Sequence, residues 1–424
     1  MALLSLYDLG LWSGSVSGGA VSNPKVLVVG ASIAGPALAH WLRRRGAEVT
    51  VVERAPGLRP GGQAVDARGV SKEVIRRMGL DAAVRAACTD TAGAHTVDVD
   101  GNVLETFNAD DNGGDGYIAE IEILRGDLSE VLYDETHDGV EYIFGDRIAE
   151  LTQDADGVDV TFATGAERRF DLVVGADGLH SALRTTIFGP HEQFVHHLGL
   201  VLAFYSVPNE FGLDRWMIEY QDRQSGRSVG LRPIQDATRA MAIFSFPAAE
   251  LDVDFRDIAA QKRLLSEQMA DLGWLTPRIL AHLDDTPDFY LDQVAQVVMD
   301  RWHDGRVGLI GDAAYCASPM SGQGTGLALV GAYLLAGELA AADWDPEAGF
   351  TAYRARLQSM VEASQEIGRM HVESLTAPAP DAEPGPEPDM EAFMAVVDRA
   401  LNGVDLPDYA DVPDSGPSKS SARL

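Results

Sequence analysis

The chain has 424 residues, 46% of them hydrophobic and 23% charged, which is the make-up of a globular protein large enough for two connected domains. Its 65 acidic residues against 33 basic ones leave a formal net charge of -32, which excludes a general attraction to nucleic-acid phosphates or to anionic lipid. Two cysteines, Cys88 and Cys316, cannot build a disulfide framework, and their spacing is that of no metal site, so no metal is expected.

Residues 1–24 begin apolar but contain no Lys or Arg, and Gly and Ser interrupt the run before it can serve as a signal core, so a disordered extension is expected there. No segment offers the ~20 uninterrupted apolar residues of a membrane span. The expectation is a cytoplasmic protein with a small-molecule partner, no nucleic acid and no membrane, its state as monomer or dimer left open.

The stretch "KVLVVGASIAGPALAHWLRRRGAEVTVVER" opens at Lys25 with an apolar run suited to a strand buried on both faces. A helical pattern over residues 34–45 follows, and then a second β-branched run over 47–53. This is a βαβ unit with glycines at the first turn, the context a dinucleotide fingerprint requires. Gly30 permits the tight turn and Gly35 lets helix and strand pack closely, while Ser32 stands where the usual pattern has a middle glycine. Gly30, Ser32, Ile33, Ala34 and Gly35 are the candidate diphosphate cradle. Glu53 ends the second strand, where a carboxylate favours the unphosphorylated ribose of FAD or NAD. Arg54 and Arg59 follow it and, with the run Arg43–Arg45, are available to anionic groups, although a solvated helix end suits the run itself.

Two later segments belong with this one. "FDLVVGADGLHSALR", residues 170–184, is a buried strand that runs into Asp177 and Gly178. "RVGLIGDAAYCASPMSGQGTGLAL", residues 306–329, is another that runs into Gly311 and Asp312 and then a glycine-rich helix start. Between the two, "LGLVLAFYSVP", "RWMIEYQDRQSGRSVGLRP" and "TRAMAIFSFPA" read as antiparallel strands. Tyr205, Trp216, Tyr220, Arg232 and Phe244 are candidates to face a pocket, although alternation alone does not set which face that is. Residues 253–283 have helical patterning.

With its three motifs in this order, the chain from about residue 25 to about residue 375 resembles the single-component (class A) FAD-dependent monooxygenases of the para-hydroxybenzoate hydroxylase type. The resemblance implies an α/β fold, in which a Rossmann-like FAD-binding domain (residues 25–93, 119–184 and 301–350) is interwoven with an antiparallel-sheet substrate domain (94–118 and 185–300). A C-terminal helix over 351–376 and a flexible acidic, proline-rich tail over 377–424, in which "MEAFMAVVDRAL" has the pattern of one more short helix, complete the expectation. By resemblance, Asp312 with Gly311 receives the ribityl chain of FAD, and Gly322, Gly324 and Thr325 open a helix towards the flavin ring. Arg125 matches an arginine that contacts the flavin or its diphosphate, and Asp177 marks the middle motif. Tyr315 and Gly326 depart from the histidine and asparagine common in the family.

The implied reaction is hydroxylation of an aromatic or polycyclic small molecule, as in natural-product tailoring, through a flavin C4a-hydroperoxide. NADPH or NADH would be the transient reductant and O2 the co-substrate. Its chemistry is centred on the flavin, so no catalytic side chain stands out, and Tyr205, Tyr220 and Arg232 are the pocket candidates. Baeyer-Villiger insertion, epoxidation and inactivation of an antibiotic are alternatives on the same fold. Isoprenoid reduction and non-catalytic flavin or ligand binding are further ones. Only one dinucleotide fingerprint occurs, and the six tryptophans are scattered, which counts against a flavin-dependent halogenase.

Overall fold

The computed structural model describes residues 23–248, 257–376 and 389–409. The expected N-terminal extension and part of the expected tail lie outside the described residues.

The protein is α/β, built on two large sheets. The first has six strands in the order His303–Asp304, Val307–Leu309, Leu172–Gly175, Lys25–Val29, Glu48–Glu53 and Glu141–Phe144. All its neighbours are parallel except the outermost pair, His303–Asp304 with Val307–Leu309. Val26, Leu27, Val28, Val173 and Val174 are fully buried, as expected of strands covered on both faces. The crossover helix Ala34–Arg44 and the long helix Gly324–Ala341 pack beside them.

Helix Gly324–Ala341 is apolar enough in composition to cross a membrane, yet 83% of it is buried inside the protein, where it acts as a core helix. It carries glycines where neighbours approach closely. A Cβ on Gly331 would fall 2.3 Å from the Tyr315 hydroxyl oxygen.

The second sheet has seven strands: Tyr290–Val297, Val195–Pro208, Arg239–Pro247, Arg227–Pro233, Trp216–Asp222, Gly93–Val97 and Val103–Asn108. One face packs on helices Ile258–Met269 and Thr276–Leu280 through Tyr205, Phe244, Leu265, Met269 and Ile279. Of the helical pattern read over 253–283, residues 253–256 lie outside the described residues, and the rest holds these two helices, separated by a turn in which Trp274 takes φ of +57°. The other face turns towards the first sheet and its motifs.

Two further expectations are corrected. The C-terminal helix starts earlier than residue 351 and runs Pro346–Thr376. The segment expected to be a flexible tail contains helix Met390–Asn402, whose last turn docks on the protein. A Cβ on Gly69 would lie 2.3 Å from the Leu401 carbonyl oxygen, and Arg77 donates to the Pro407 carbonyl at 3.0 Å. The apolar face of that helix found a partner, which outweighed the acid and proline before it.

Candidate active site

The first strand runs into Gly30 with φ of +110°, a conformation that favours glycine. A Cβ there would sit 2.5 Å from the Ala176 carbonyl oxygen, and one on Gly35 would sit 1.9 Å from the Gly30 carbonyl oxygen. Turn and helix can approach each other only without those side chains. Ile33 occupies the N-cap position and Ala34 begins the helix, so free N–H groups and the positive end of the helix dipole open where the turn ends.

Glu53 Oε2 accepts from the Ala31 N–H at 3.0 Å, and its Oε1 accepts from the Ala55 N–H at 2.9 Å. The acid is thus drawn over the fingerprint turn. Arg125 closes the crevice by donating from Nη1 to Ser32 Oγ at 3.1 Å. Burial holds the Arg125 guanidinium below its ordinary pKa, and repulsion from Arg59 adds to this. Arg59 lines the crevice with Ala31, Ser32, Glu53 and Arg125, and Arg54 is not among the lining residues. Of the two arginines expected after Glu53, Arg59 is the one that lines this crevice, because the chain turns after Glu53. Two neighbouring guanidiniums beside a helix N-terminus form a donor set suited to a diphosphate. In a chain of net charge -32 this local pair supplies the attraction that the whole molecule lacks.

Asp177 is occupied locally. Its carboxylate accepts from Ser181 Oγ at 2.6 Å and from the N–H groups of Ala182 and Leu183 at 2.8 and 3.2 Å. It caps helix Ala182–Ile187 rather than presenting a free acid. Arg184, fully buried, then donates to the Ala313 carbonyl at 2.8 Å and the Leu179 carbonyl at 2.6 Å, which ties the middle motif to the third.

In the third motif Gly311 has φ of +63°, and its Cβ would lie 3.2 Å from that of Ala34. This glycine brings Asp312 against the fingerprint helix. Asp312 has exposed surface, yet surrounding protein desolvates it enough to push its carboxyl above the ordinary range, while a hydrogen bond from the Cys316 thiol works the other way. Both facts describe a group on the floor of a cleft, and the accessible surface decides what reaches it. A Cβ on Gly324 would lie 3.9 Å from Asp312 Oδ1, so the acid stands beside the start of the long helix, with Thr325 buried in its first turn. Gly322, with φ of +64°, leaves room for the Arg68 guanidinium.

Arg68 belongs to a charged wall above this floor. Arg68 pairs with Asp66 at 3.0 Å and donates to the Tyr117 carbonyl at 3.2 Å. Arg232 pairs with Glu122 at 3.1 Å, and the other oxygen of Glu122 accepts from Thr89 at 2.6 Å and Thr91 at 2.7 Å. Tyr117 donates its hydroxyl to Glu219 at 2.9 Å. Burial raises the carboxyl pKa of Asp66 and of Glu219. Burial works against the charge on Arg232, but Glu122, Asp66, Tyr117 and Glu219 together outweigh it and raise its pKa.

The pocket candidates separate by register. Arg232 stands opposite Met241 on the face turned to the cleft. Tyr205, opposite Ala242, is fully buried on the other face and donates its hydroxyl to the Ile279 carbonyl at 3.1 Å. Tyr220 shares that helix-covered face and packs near Trp274, and Phe244 stacks on Tyr205. Tyr205 and Tyr220 are therefore packing residues, because the sheet presents their phase to the helices. Glu122, Asp66, Arg68, Tyr117 and Glu219 escaped the sequence reading. The one signal available was a glutamate between Ile121 and Ile123 in a short strand that is otherwise apolar.

A family model described as an FAD binding domain matches residues 23–365. A flavin-dependent monooxygenase of Legionella longbeachae is 38% identical over 394 residues, covering 91% of this chain and 98% of the relative. An uncharacterized protein of Mycobacterium tuberculosis is 45% identical over 386 residues, covering 91% and 99%. Among solved structures, tetracycline destructase Tet(55) superposes with a TM-score of 0.80 at 37% identity, covering 92% of this chain and 100% of that one.

Proposed function

The chain belongs to the FAD-binding-domain family and is a flavin-dependent monooxygenase, and from that premise we propose that it transfers one oxygen atom to a multiply oxygenated polycyclic or phenolic small molecule. Its electron donor is NADPH or NADH and its co-substrate O2. The observation that carries the substrate class is the wall of Arg232, Glu122, Asp66, Arg68, Glu219 and Tyr117, in which both signs of charge stand on the cleft side of the second sheet. An apolar hydrocarbon would leave those groups desolvated without new partners. A ligand rich in hydroxyl, enol and carbonyl groups offers both donors and acceptors to them.

FAD, when bound, supplies acceptance of hydride and activation of oxygen. The residues of the protein do the rest. Arg59 and Arg125 would hold the diphosphate, and Glu53 would accept from ribose hydroxyls in exchange for its backbone donors. Asp312 would accept from the ribityl chain. The N–H groups at the start of helix Gly324–Ala341 would stabilise negative charge that gathers on the ring. The second sheet excludes water from above and presents Arg232 to an ionised phenol or enol, which holds the electron-rich form of the substrate.

The likeness to Tet(55), whose name assigns it the breakdown of tetracycline, makes oxidative inactivation of a tetracycline the first form of this reading to test. Purified FAD-loaded protein is mixed with NADPH and either a tetracycline or a panel of simple phenols, and nicotinamide oxidation is followed with product NMR. Stimulated oxidation with one oxygen inserted into the polycycle is expected. Oxidation that no ligand of either class stimulates contradicts the assignment of substrate.

A further inference from the structure

Strand Tyr290–Val297 forms one edge of the second sheet, and its even-numbered side chains share a face. Gln296 donates from that face to the Ala317 carbonyl at 3.1 Å, and Val294 packs with Met320, so the row is turned towards the glycine-rich loop of the third motif. Asp292 and Tyr290 continue it outwards. Tyr290 lies against Phe204, with ring centroids 6.0 Å apart, and is close enough to Asp312 and to Arg125 to feel the charge of both. Tyr290 keeps 48% of its surface exposed and shares the face of Gln296 and Val294, whose partners Ala317 and Met320 belong to the third motif, so its hydroxyl stands on the cleft side of the strand.

From there a hydrogen-bonded chain leads out of the protein. Tyr290 donates its hydroxyl to Asp292 Oδ2 at 3.0 Å, and His180 Nε2 contacts the same oxygen at 2.9 Å. Asp292 Oδ1 accepts from the Gln293 N–H at 2.8 Å, which fixes the carboxylate. Asp292 is mostly covered, with 13% of its side-chain surface exposed, whereas His180 has 54% exposed and meets water directly. The other groups around it are His191, stacked on its ring at 5.5 Å, Arg184 behind His191 at 3.2 Å, and His197, which lies within electrostatic reach of both Asp292 and His180. Three groups that can each bind and release a proton thus span from cleft to solvent. A mostly exposed histidine contributes little to a core, so packing does not account for the arrangement.

We propose that Tyr290, Asp292 and His180 carry protons between the flavin cleft and bulk water. The proposal rests on the flavin reading of the cleft given above. Oxygen insertion at the expense of a reduced nicotinamide consumes one proton: substrate, O2, NAD(P)H and H⁺ become the oxygenated product, NAD(P)⁺ and water. The imidazole of His180 takes a proton from water on one nitrogen as its Nε2 proton passes to Asp292. The Tyr290 hydroxyl turns its proton from Asp292 to the cleft, and Asp292 then gives its proton to the Tyr290 oxygen as the turned hydroxyl proton leaves. Water then restores the His180 tautomer, and each group ends as it began. Tyr290 is the member that faces the cleft, and Asp292 and His180 act through it.

The test needs no substrate. FAD-loaded protein in weak buffer with a pH-indicator dye is mixed anaerobically with reduced methyl viologen, which gives electrons and no protons, so the proton that accompanies flavin reduction must come from water. Loss of the flavin's visible absorbance and the dye's colour change are recorded together for the wild type, His180→Gln and Tyr290→Phe, the last of which keeps the ring on Phe204. In the wild type the two signals should coincide. In both variants the dye should lag the flavin by about tenfold or more, and added imidazole should restore coincidence in His180→Gln. Coincident signals in both variants overturn the proton path while leaving the flavin reading intact. A wild-type protein that holds no FAD shows no absorbance to lose, and that result contradicts the flavin reading itself.

Discussion

Asp312 carries the sharpest consequence for a single side chain, since its carboxylate is the acid exposed on the floor of the cleft. Asp312→Ala removes a charged acceptor, and hydrogen bonds to charged groups contribute ~1.5–3 kcal/mol, so FAD affinity should fall by about 10- to 100-fold in a titration of apoprotein. Unchanged affinity would remove the acid from the cofactor site. Arg232→Ala should act differently, because it leaves Glu122 buried with its threonines but without its cation. Breaking a buried pair from one side costs ~3–5 kcal/mol, and the midpoint of denaturant unfolding should drop accordingly. The double variant Arg232→Met with Glu122→Gln should recover most of the loss. Glu219 adds a pH signature. Burial raises its folded pKa above the unfolded value, so over that window the folded state binds more protons and stability falls as pH rises through it. Glu219→Gln should flatten this decline above the ordinary glutamate range in parallel denaturant titrations. Among these residues, those whose position is imposed by the backbone were legible beforehand. Gly30, Gly35, Glu53 and Asp312 sit where the chain turns or a strand ends, and a turn leaves a local trace in sequence. Glu122 and Asp66 left none, because what places them is the approach of segments far apart in the chain. Asp177 was legible as part of a motif but not as a helix cap.

At the scale of elements, the close contact between fingerprint helix and first strand is the part most sensitive to volume. A Cβ on Gly35 would collide with the Gly30 carbonyl at 1.9 Å, and both are backbone-fixed. Gly35→Ala should therefore lower stability by ~1–3 kcal/mol and release FAD together, measured as a lower thermal midpoint and a loss of bound-flavin absorbance. The second sheet teaches a different lesson. Its strands were evident from their alternation and turns, but the phase was not, since both faces carry apolar residues. Val201, Ala203 and Tyr205 meet the helices Ile258–Met269 and Thr276–Leu280, while Leu200 and Leu202 pack with Val294 and Met320 on the cleft side. Two apolar faces make the register invisible locally, and of the aromatic candidates for the pocket Tyr205, Tyr220 and Phe244 belong to the helix-covered core, while Trp216 stacks on His95. Met390–Asn402 was legible as a short helical pattern, but its docking was not, because its partners at Gly69 and Arg77 lie more than 300 residues earlier.

For the whole molecule the governing quantity is the charge of -32, which repels every anionic ligand the reaction uses. The cations at Arg59 and Arg125 act within a few ångströms, and the repulsion acts over the whole surface. Salt screens the long-range part first. The KM for NADPH should therefore decrease as ionic strength is raised from very low values to about 0.1 M, where the Debye length is ~10 Å, with kcat nearly constant. A KM that rises steadily with salt would place a large basic patch at the donor's approach and contradict this picture. The central claim is that the cleft between the two sheets holds FAD and uses it to place one atom of O2 on an oxygenated polycycle. Mass spectrometry of the product formed from a tetracycline under isotope-labelled O2 tests it most directly. The account predicts a product heavier by one oxygen that carries the label, formed by the wild type and strongly diminished in Asp312→Ala. A product whose added oxygen comes from water, or NADPH consumption that yields only hydrogen peroxide with the polycycle unchanged, would contradict it.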